Sequence, residues 1–116
     1  MGQIIDRESL GELKSFIKDQ FPKVVESYLE HSVKYVEQIE YAHRDNNAEG
    51  VSKAAHPLKS ASGNLGLVAL YELSRDIEEA GYDVCAGERK FEELAVLVSK
   101  IAPLYAESTK LLREEI

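Results

Sequence analysis

The chain has 116 residues, of which 44% are hydrophobic and 30% charged, with seven glycines and three prolines. This composition is enough for one domain with its own core and excludes a disordered or collagen-like chain. Fourteen Lys and Arg residues against 21 Asp and Glu residues give a formal charge of −7, which disfavours phosphate backbones and anionic lipid as partners. We therefore expect a single domain over residues 1–116 that binds neither nucleic acid nor membrane.

Cys85 is the only cysteine, so the sequence predicts no disulfide framework and no cysteine zinc cluster. The first residues lack the basic and apolar regions of a signal peptide, and no stretch approaches 18 consecutive apolar residues. These features indicate a soluble, cytoplasmic protein.

Apolar residues recur at helical spacing almost throughout, and no convincing strand alternation is present. A short first helix is predicted from about Arg7 to Lys18, with Asp6 as its N-cap. Its buried side is predicted to carry Leu10, Leu13, Phe16 and Ile17.

Pro22 suits the first turn of a long second helix that runs to Asp45. Asn46 or Asn47 is able to cap a third helix that extends toward Asn64. The second helix is predicted to bury Phe21, Val25, Tyr28, Ser32, Tyr35, Ile39 and Ala42, and the third Val51, Ala55, Leu58, Ser62 and Leu65.

Gly66 interrupts the helical pattern, and a fourth helix is predicted to end around Ala80–Gly81, where glycine is favoured just after a helix. A loop from Gly81 to Gly87 then leads to a last helix from about Glu88, which either kinks or splits at Pro103. The fourth helix is predicted to bury Leu67, Leu70, Leu73, Ser74 and Ile77, and the last one Phe91, Leu94, Val98, Ile101, Tyr105 and Leu112.

These elements predict an all-α fold, an antiparallel up-down-up-down four-helix bundle preceded by a short N-terminal capping helix. We expect the protein to be a monomer. His31 and His43 are predicted to be solvated surface residues, since no second Glu-x-x-His element accompanies Glu40 and His43 to form a di-iron site.

At 100° per residue, His56 lies about 160° from the buried centre of the third helix. Small residues share this outward face, and the 21 residues from Val51 to Tyr71 contain two lysines but no acid. A solvated face usually carries long charged side chains, so this one is predicted to admit a partner closely. The predicted docking residues are Lys53, Ser60, Gly63 and Asn64.

An exposed imidazole is a competent nucleophile near neutral pH and can accept a phosphoryl group. Lys59, one turn away, is placed to compensate the charge of the phosphoryl oxygens. Glu78, at the edge of the fourth helix, is the candidate for holding one ring nitrogen so that the other attacks. Pro57 leaves two structures open, a helix that continues with a local bend, which we favour, or a helix that begins at Pro57.

The run Ala55-His56-Pro57-Leu58-Lys59-Ser60-Ala61-Ser62-Gly63-Asn64-Leu65-Gly66, followed by Leu70, Leu73, Ile77, Glu78 and Gly81, closely resembles the histidine-containing phosphotransfer (HPt) family. The resemblance covers nearly the whole chain. It implies a four-helix bundle whose exposed histidine carries phosphate between receiver-domain aspartates in a multistep phosphorelay.

Carried over to this sequence, the resemblance implies that His56 is phosphorylated, that Lys59 is the nearby cation and that Glu78 lies near the histidine. Ser60 departs from the glycine common in the family. The expected partners are response-regulator receiver domains and a hybrid sensor kinase, with no cofactor, no metal and no kinase activity of its own. The alternative is a helical interaction module that docks a receiver or a helix without phosphotransfer.

Overall fold

The computed structural model describes residues 3–116, and within this range the chain forms six α-helices, one short 3₁₀ turn and no strand. None of these helices is long and apolar enough to span a bilayer. The helices are α1 (Arg7–Ile17), α2 (Phe21–Arg44), α3 (Ala48–Asn64), α4 (Val68–Cys85), α5 (Phe91–Val98) and α6 (Ile101–Arg113), with the 3₁₀ turn at Lys18–Gln20.

Helices α2, α3 and α4 form three rods of a bundle, and α5 with α6 forms the fourth. Each rod packs against the next, and the α5–α6 rod also packs against α2, which closes the bundle around one apolar core. Because only a few residues connect successive rods, neighbouring rods run in opposite directions. The predicted fold class is confirmed.

Helix α1 caps the bundle next to the turn between α3 and α4. Asp6 is its N-cap, as predicted, and the Asp6 amide donates a 2.7 Å hydrogen bond to the Gly66 carbonyl. Leu10 is buried, but the prediction for Phe16 was wrong, since Phe16 is 86% exposed. Phe16 lies about 120° around α1 from Leu10, outside the stripe that faces the bundle.

The prediction that α4 ends at Ala80–Gly81 was wrong, because the helix continues to Cys85 and the loop is shifted to Ala86–Lys90. Gly81 is buried, and a Cβ atom there would lie 2.9 Å from the Ala48 carbonyl oxygen and would overlap Ser52 Oγ. Gly81 therefore permits the close approach of α3 and α4 rather than terminating a helix.

The last rod splits, which was one of the two outcomes predicted for Pro103. Helix α5 begins at Phe91, three residues later than predicted, and a turn at Ser99–Lys100 separates it from α6. Pro103 lies in the first turn of α6, where its missing N–H does not remove an intrahelical bond. The break thus places proline at a position that tolerates it.

Helix α3 is continuous through Pro57, which excludes the alternative of a helix that begins at Pro57. Its N-cap is Asn47, whose side chain accepts a hydrogen bond from the Gly50 amide.

On helix α2, Tyr35 is only partly buried, and Val36 takes the core position on that turn. Tyr28 is buried as predicted and forms a 2.9 Å hydrogen bond with the Ser62 hydroxyl of α3.

His31 is exposed, as predicted. The solvated position predicted for His43 was wrong, because its ring is half-buried and stacks on Phe91, with centroids 5.3 Å apart and planes 1° apart. The stack joins the C-terminal end of α2 to the first turn of α5. This contact depends on the packing of the rods, which the spacing of His43 within α2 does not reveal.

Candidate functional site

His56 projects from the middle of α3, and 61% of its side chain is exposed. The neighbouring residues Ala55 and Leu58 are fully buried, so the periodicity of the helix turns His56 outward. The structure therefore agrees with the orientation that the sequence predicts.

A buried carboxylate holds one nitrogen of the exposed ring. Nδ1 of His56 donates a 2.7 Å hydrogen bond to Oε2 of Glu78, whose side chain is only 8% exposed. Because a carboxylate only accepts, this bond requires the proton on Nδ1. In the neutral ring, Nε2 then keeps its lone pair and has no hydrogen-bond partner among the described residues.

Lys59 contacts the other oxygen of the same carboxylate. Its Nζ lies 2.7 Å from Oε1 of Glu78, and its side chain is 24% exposed. The sequence predicts Lys59 beside an incoming phosphoryl group, whereas in the structure its ammonium group neutralises Glu78. Glu78 is therefore held between the histidine and the lysine.

The charges of this cluster stabilise each other. Burial raises the pKa of Glu78, but hydrogen bonds from Lys59 and His56 lower it by more, so the pKa lies below its usual value and the carboxyl is ionised at neutral pH. The hydrogen bond to Glu78 raises the pKa of Lys59 in turn. An acceptor that is anionic at neutral pH therefore lies under the imidazole.

The close packing of α3 on α4 brings Glu78 to His56. Seven residues separate His56 from Gly63 on α3, and seven separate Tyr71 from Glu78 on α4, so the antiparallel helices pair His56 with Glu78 and Gly63 with Tyr71. One turn before His56, the buried Ser52 hydroxyl donates a 2.9 Å hydrogen bond to the Glu78 backbone carbonyl. This bond anchors the main chain that carries the carboxylate.

The other predicted docking residues lie on the same face of α3. Ser60, Gly63 and Asn64 are exposed. Lys53 is exposed as well, and its ammonium group lies 2.8 Å from Glu49. Lys53 and Lys59 are thus both paired with glutamates that lie outside the segment Val51–Tyr71. The segment therefore carries less unpaired positive charge than the sequence indicates.

Tyr71, on α4, lies next to this face, and the sequence did not predict a role for it. It is partly exposed, and its ring lies over the bare backbone of Gly63. The pairs His56–Glu78 and Gly63–Tyr71 are displaced from each other by seven residues along both helices. This spacing identifies Tyr71 as a neighbour of the site only once the pairing of α3 with α4 is known.

The cluster contains a single nucleophile and offers no metal site. Within the described part of the chain, no three His, Cys, Asp or Glu side chains lie close enough together to hold a metal ion. Its chemistry is that of an exposed imidazole with a fixed tautomer, which suits transfer of a group to Nε2.

Comparison with known proteins agrees with this chemistry. The model of the Hpt domain family matches residues 23–112. The fold is similar to the crystal structure of histidine-containing phosphotransfer protein B (HptB) from Pseudomonas aeruginosa PAO1, with a TM-score of 0.86, 21% identity, and coverage of 99% of this chain and 96% of that chain. A search of curated proteins gave no match. The chain belongs to the Hpt domain family of histidine phosphotransfer proteins, the phosphorelay intermediates of two-component signalling.

Proposed function

We propose that His56 is the residue that carries the phosphoryl group, through Nε2. The observation that carries the proposal is the hydrogen bond from Nδ1 to the buried Glu78, which fixes the tautomer and leaves Nε2 exposed. Neither of the other two histidines has a carboxylate on its ring among the described contacts: His31 contacts Ser27, and His43 stacks on Phe91.

In the proposed step, Nε2 of the neutral imidazole attacks the phosphorus of an aspartyl phosphate on a receiver domain. The P–N bond forms while the P–O bond to aspartate breaks, and the aspartate leaves as a carboxylate. The ring becomes an imidazolium whose proton stays on Nδ1, where Glu78 accepts it in a charge-assisted hydrogen bond. The reverse step returns the phosphoryl group to the aspartate of another receiver.

Lys59 has two proposed duties, and both follow from its 2.7 Å contact with Glu78. It keeps the buried carboxylate ionised before transfer. We propose that, after phosphorylation of His56, the partly exposed ammonium group of Lys59, which shares the Glu78 carboxylate with the ring, also compensates the phosphoryl charge. Glu78 is a positioning residue in this scheme, because it acts through the ring.

The proposed docking face for the receiver comprises Lys53, Ser60, Gly63 and Asn64, which lie on the outward side of α3 together with His56. Hpt family proteins work with receiver domains and kinases. We further propose that this chain is a monomeric, cytoplasmic single-domain carrier that receives phosphate from a hybrid sensor kinase through a receiver and has no kinase activity of its own.

Phosphorylation by a labelled phospho-receiver tests the assignment of His56. We expect His56→Gln to abolish labelling and His31→Gln, an exposed-histidine control, to retain it. The label on the wild type is expected to be acid-labile and alkali-stable, as a phosphoramidate is. Labelling that persists in His56→Gln would contradict the assignment.

Two further measurements separate carrier, kinase and interaction module. Incubation with labelled ATP alone is expected to leave the chain unlabelled, and labelling there would contradict a carrier without kinase activity. A receiver that binds the chain but never transfers phosphate to His56 would favour the interaction module instead.

The docking face is tested by Ser60→Glu, which adds bulk and charge beside His56 and is expected to slow transfer at least tenfold. Ser15→Glu on α1 is the control.

A further inference from the structure

Gly63 is exposed on α3, yet a side chain at this position would be crowded by a residue of α4. A Cβ atom there would lie 3.0 Å from Cδ1 and 3.4 Å from Cε1 of the Tyr71 ring. The first distance is shorter than ordinary van der Waals contact, so the Tyr71 ring must shift by a few tenths of an ångström to admit a methyl group at residue 63. The aromatic ring of Tyr71 thus packs closely on one side of Gly63, while the glycine itself stays exposed.

Tyr71 and Glu78 lie on the same side of α4, because seven residues are close to two helical turns. Glu78 contacts His56, so the Tyr71 ring lies on the same α3–α4 edge, two turns along α3 from the histidine. The ring and Gly63 both border a shallow cleft that Asp6 and Ser9 also line. The Tyr71 hydroxyl has no hydrogen-bond partner within residues 3–116.

We propose that Tyr71 is a positioning residue for phosphotransfer, whose ring, seated on Gly63, forms the apolar part of the surface that a receiver domain contacts. The inference rests on the proposed function. The partner at this surface is the receiver domain, because the surface adjoins His56. Any domain whose aspartate reaches His56 also covers the adjoining edge of α3 and α4. A partly exposed tyrosine contributes a large contact area with few rotatable bonds, which is why such residues often dominate interfaces.

Gly63 lies on the exposed docking face, and its missing side chain also lets the Tyr71 ring pack closely against α3. We attribute the sensitivity of this position to the second of these, the packing of Tyr71. It follows that an alanine at residue 63 acts by displacing the ring. Its effect is therefore expected to disappear once the ring is removed.

A double-mutant cycle tests this dependence. Gly63→Ala, Tyr71→Ala and the double variant are compared with wild type, using a receiver domain of the source organism that binds the wild-type chain. We expect each single variant to raise the half-saturating receiver concentration roughly fivefold with little change in the rate at saturation. The double variant is expected to match Tyr71→Ala alone.

Three controls accompany the cycle. Tyr71→Phe keeps the ring and is expected to behave like wild type, and Gly11→Ala adds a methyl group with nothing within 4 Å and is expected to have no effect. Circular dichroism verifies folding, and Tyr71→Gln replaces Tyr71→Ala if the alanine variant is not folded.

Two results would overturn the proposal: equal effects of Gly63→Ala with and without Tyr71, or unchanged receiver binding in Tyr71→Ala and Tyr71→Gln. The same cycle measured by calorimetric binding in a His56→Gln background needs no phosphotransfer. A loss of binding there supports the role of Tyr71 even if His56 proves not to be the phosphorylated residue, so the two proposals fail separately.

Discussion

Lys59 donates a 2.7 Å hydrogen bond to Oε1 of Glu78, the carboxylate whose other oxygen accepts from His56. The carboxylate is buried, while the imidazole is largely exposed. One buried anion thus orients an exposed nucleophile and is itself stabilised by a cation. The consequences for transfer and for stability can be measured separately.

Glu78→Gln is expected to slow transfer to His56 about tenfold, equivalent to about 1.4 kcal/mol of transition-state stabilisation. The amide retains an acceptor but no charge, so it stabilises the imidazolium less well. Single-turnover transfer from a phospho-receiver gives the rate, and ¹⁵N NMR of the ring gives the tautomer. The neighbouring exposed Glu79→Gln is the control, and an unchanged rate in Glu78→Gln would contradict a role for the carboxylate.

Lys59→Ala is expected to lower the free energy of unfolding by about 1–2 kcal/mol, because it removes a charge-assisted hydrogen bond from a buried carboxylate. Lys53→Ala is the matched control, since Lys53 pairs with the exposed Glu49 and its loss is expected to change the free energy of unfolding much less. Urea unfolding monitored by circular dichroism measures both. Equal losses in the two variants would show that the burial of Glu78 is unimportant.

The stabilisation from Glu78 is expected to depend on pH. Its folded pKa lies below the ordinary 4.5, so its contribution is fully present above that pH and is lost as the pH falls through the folded pKa. Lys59 has a raised pKa, so its contribution is present below the ordinary 10.5 and is lost as the pH rises through the higher folded value. The pair therefore stabilises the fold between these limits.

The measurement is the difference in unfolding free energy between wild type and Glu78→Gln across this pH range. Contributions of the other acids cancel in that difference. It is expected to shrink below pH 4.5, as protonated Glu78 comes to resemble glutamine. A difference independent of pH would mean that Glu78 is not ionised in the folded chain.

Gly81→Ala is expected to destabilise the fold by about 1–3 kcal/mol, because the added methyl group overlaps Ser52 and meets the Ala48 carbonyl oxygen at 2.9 Å. Adding Ser52→Ala is expected to restore part of the loss by removing the overlapping hydroxyl. Thermal unfolding measures both, with Gly11→Ala as a control that is neutral or slightly stabilising. A stability equal to wild type would mean that α3 and α4 separate at no cost.

Much of this arrangement was predictable from local pattern. The three-four spacing of apolar residues gave the helices, and Asp6 and the Asn46–Asn47 pair marked two helix starts. The outward position of His56 followed from its angle to Leu58. The end of α4 was not predictable, since Gly81 suits both a helix terminus and a close helix contact, and only the packing against Ser52 distinguishes them.

The sequence by itself determined the helical periodicity, the exposed histidine with small neighbours and the motif of the Hpt family, because each is a property of one helix or of adjacent residues. Only the tertiary structure decided that Lys59 contacts Glu78, that Tyr71 covers Gly63 and that His43 stacks on Phe91. The physical reason is that each of these contacts joins two different helices. Their register and separation depend on the packing of the whole core and are not encoded in the spacing along either helix.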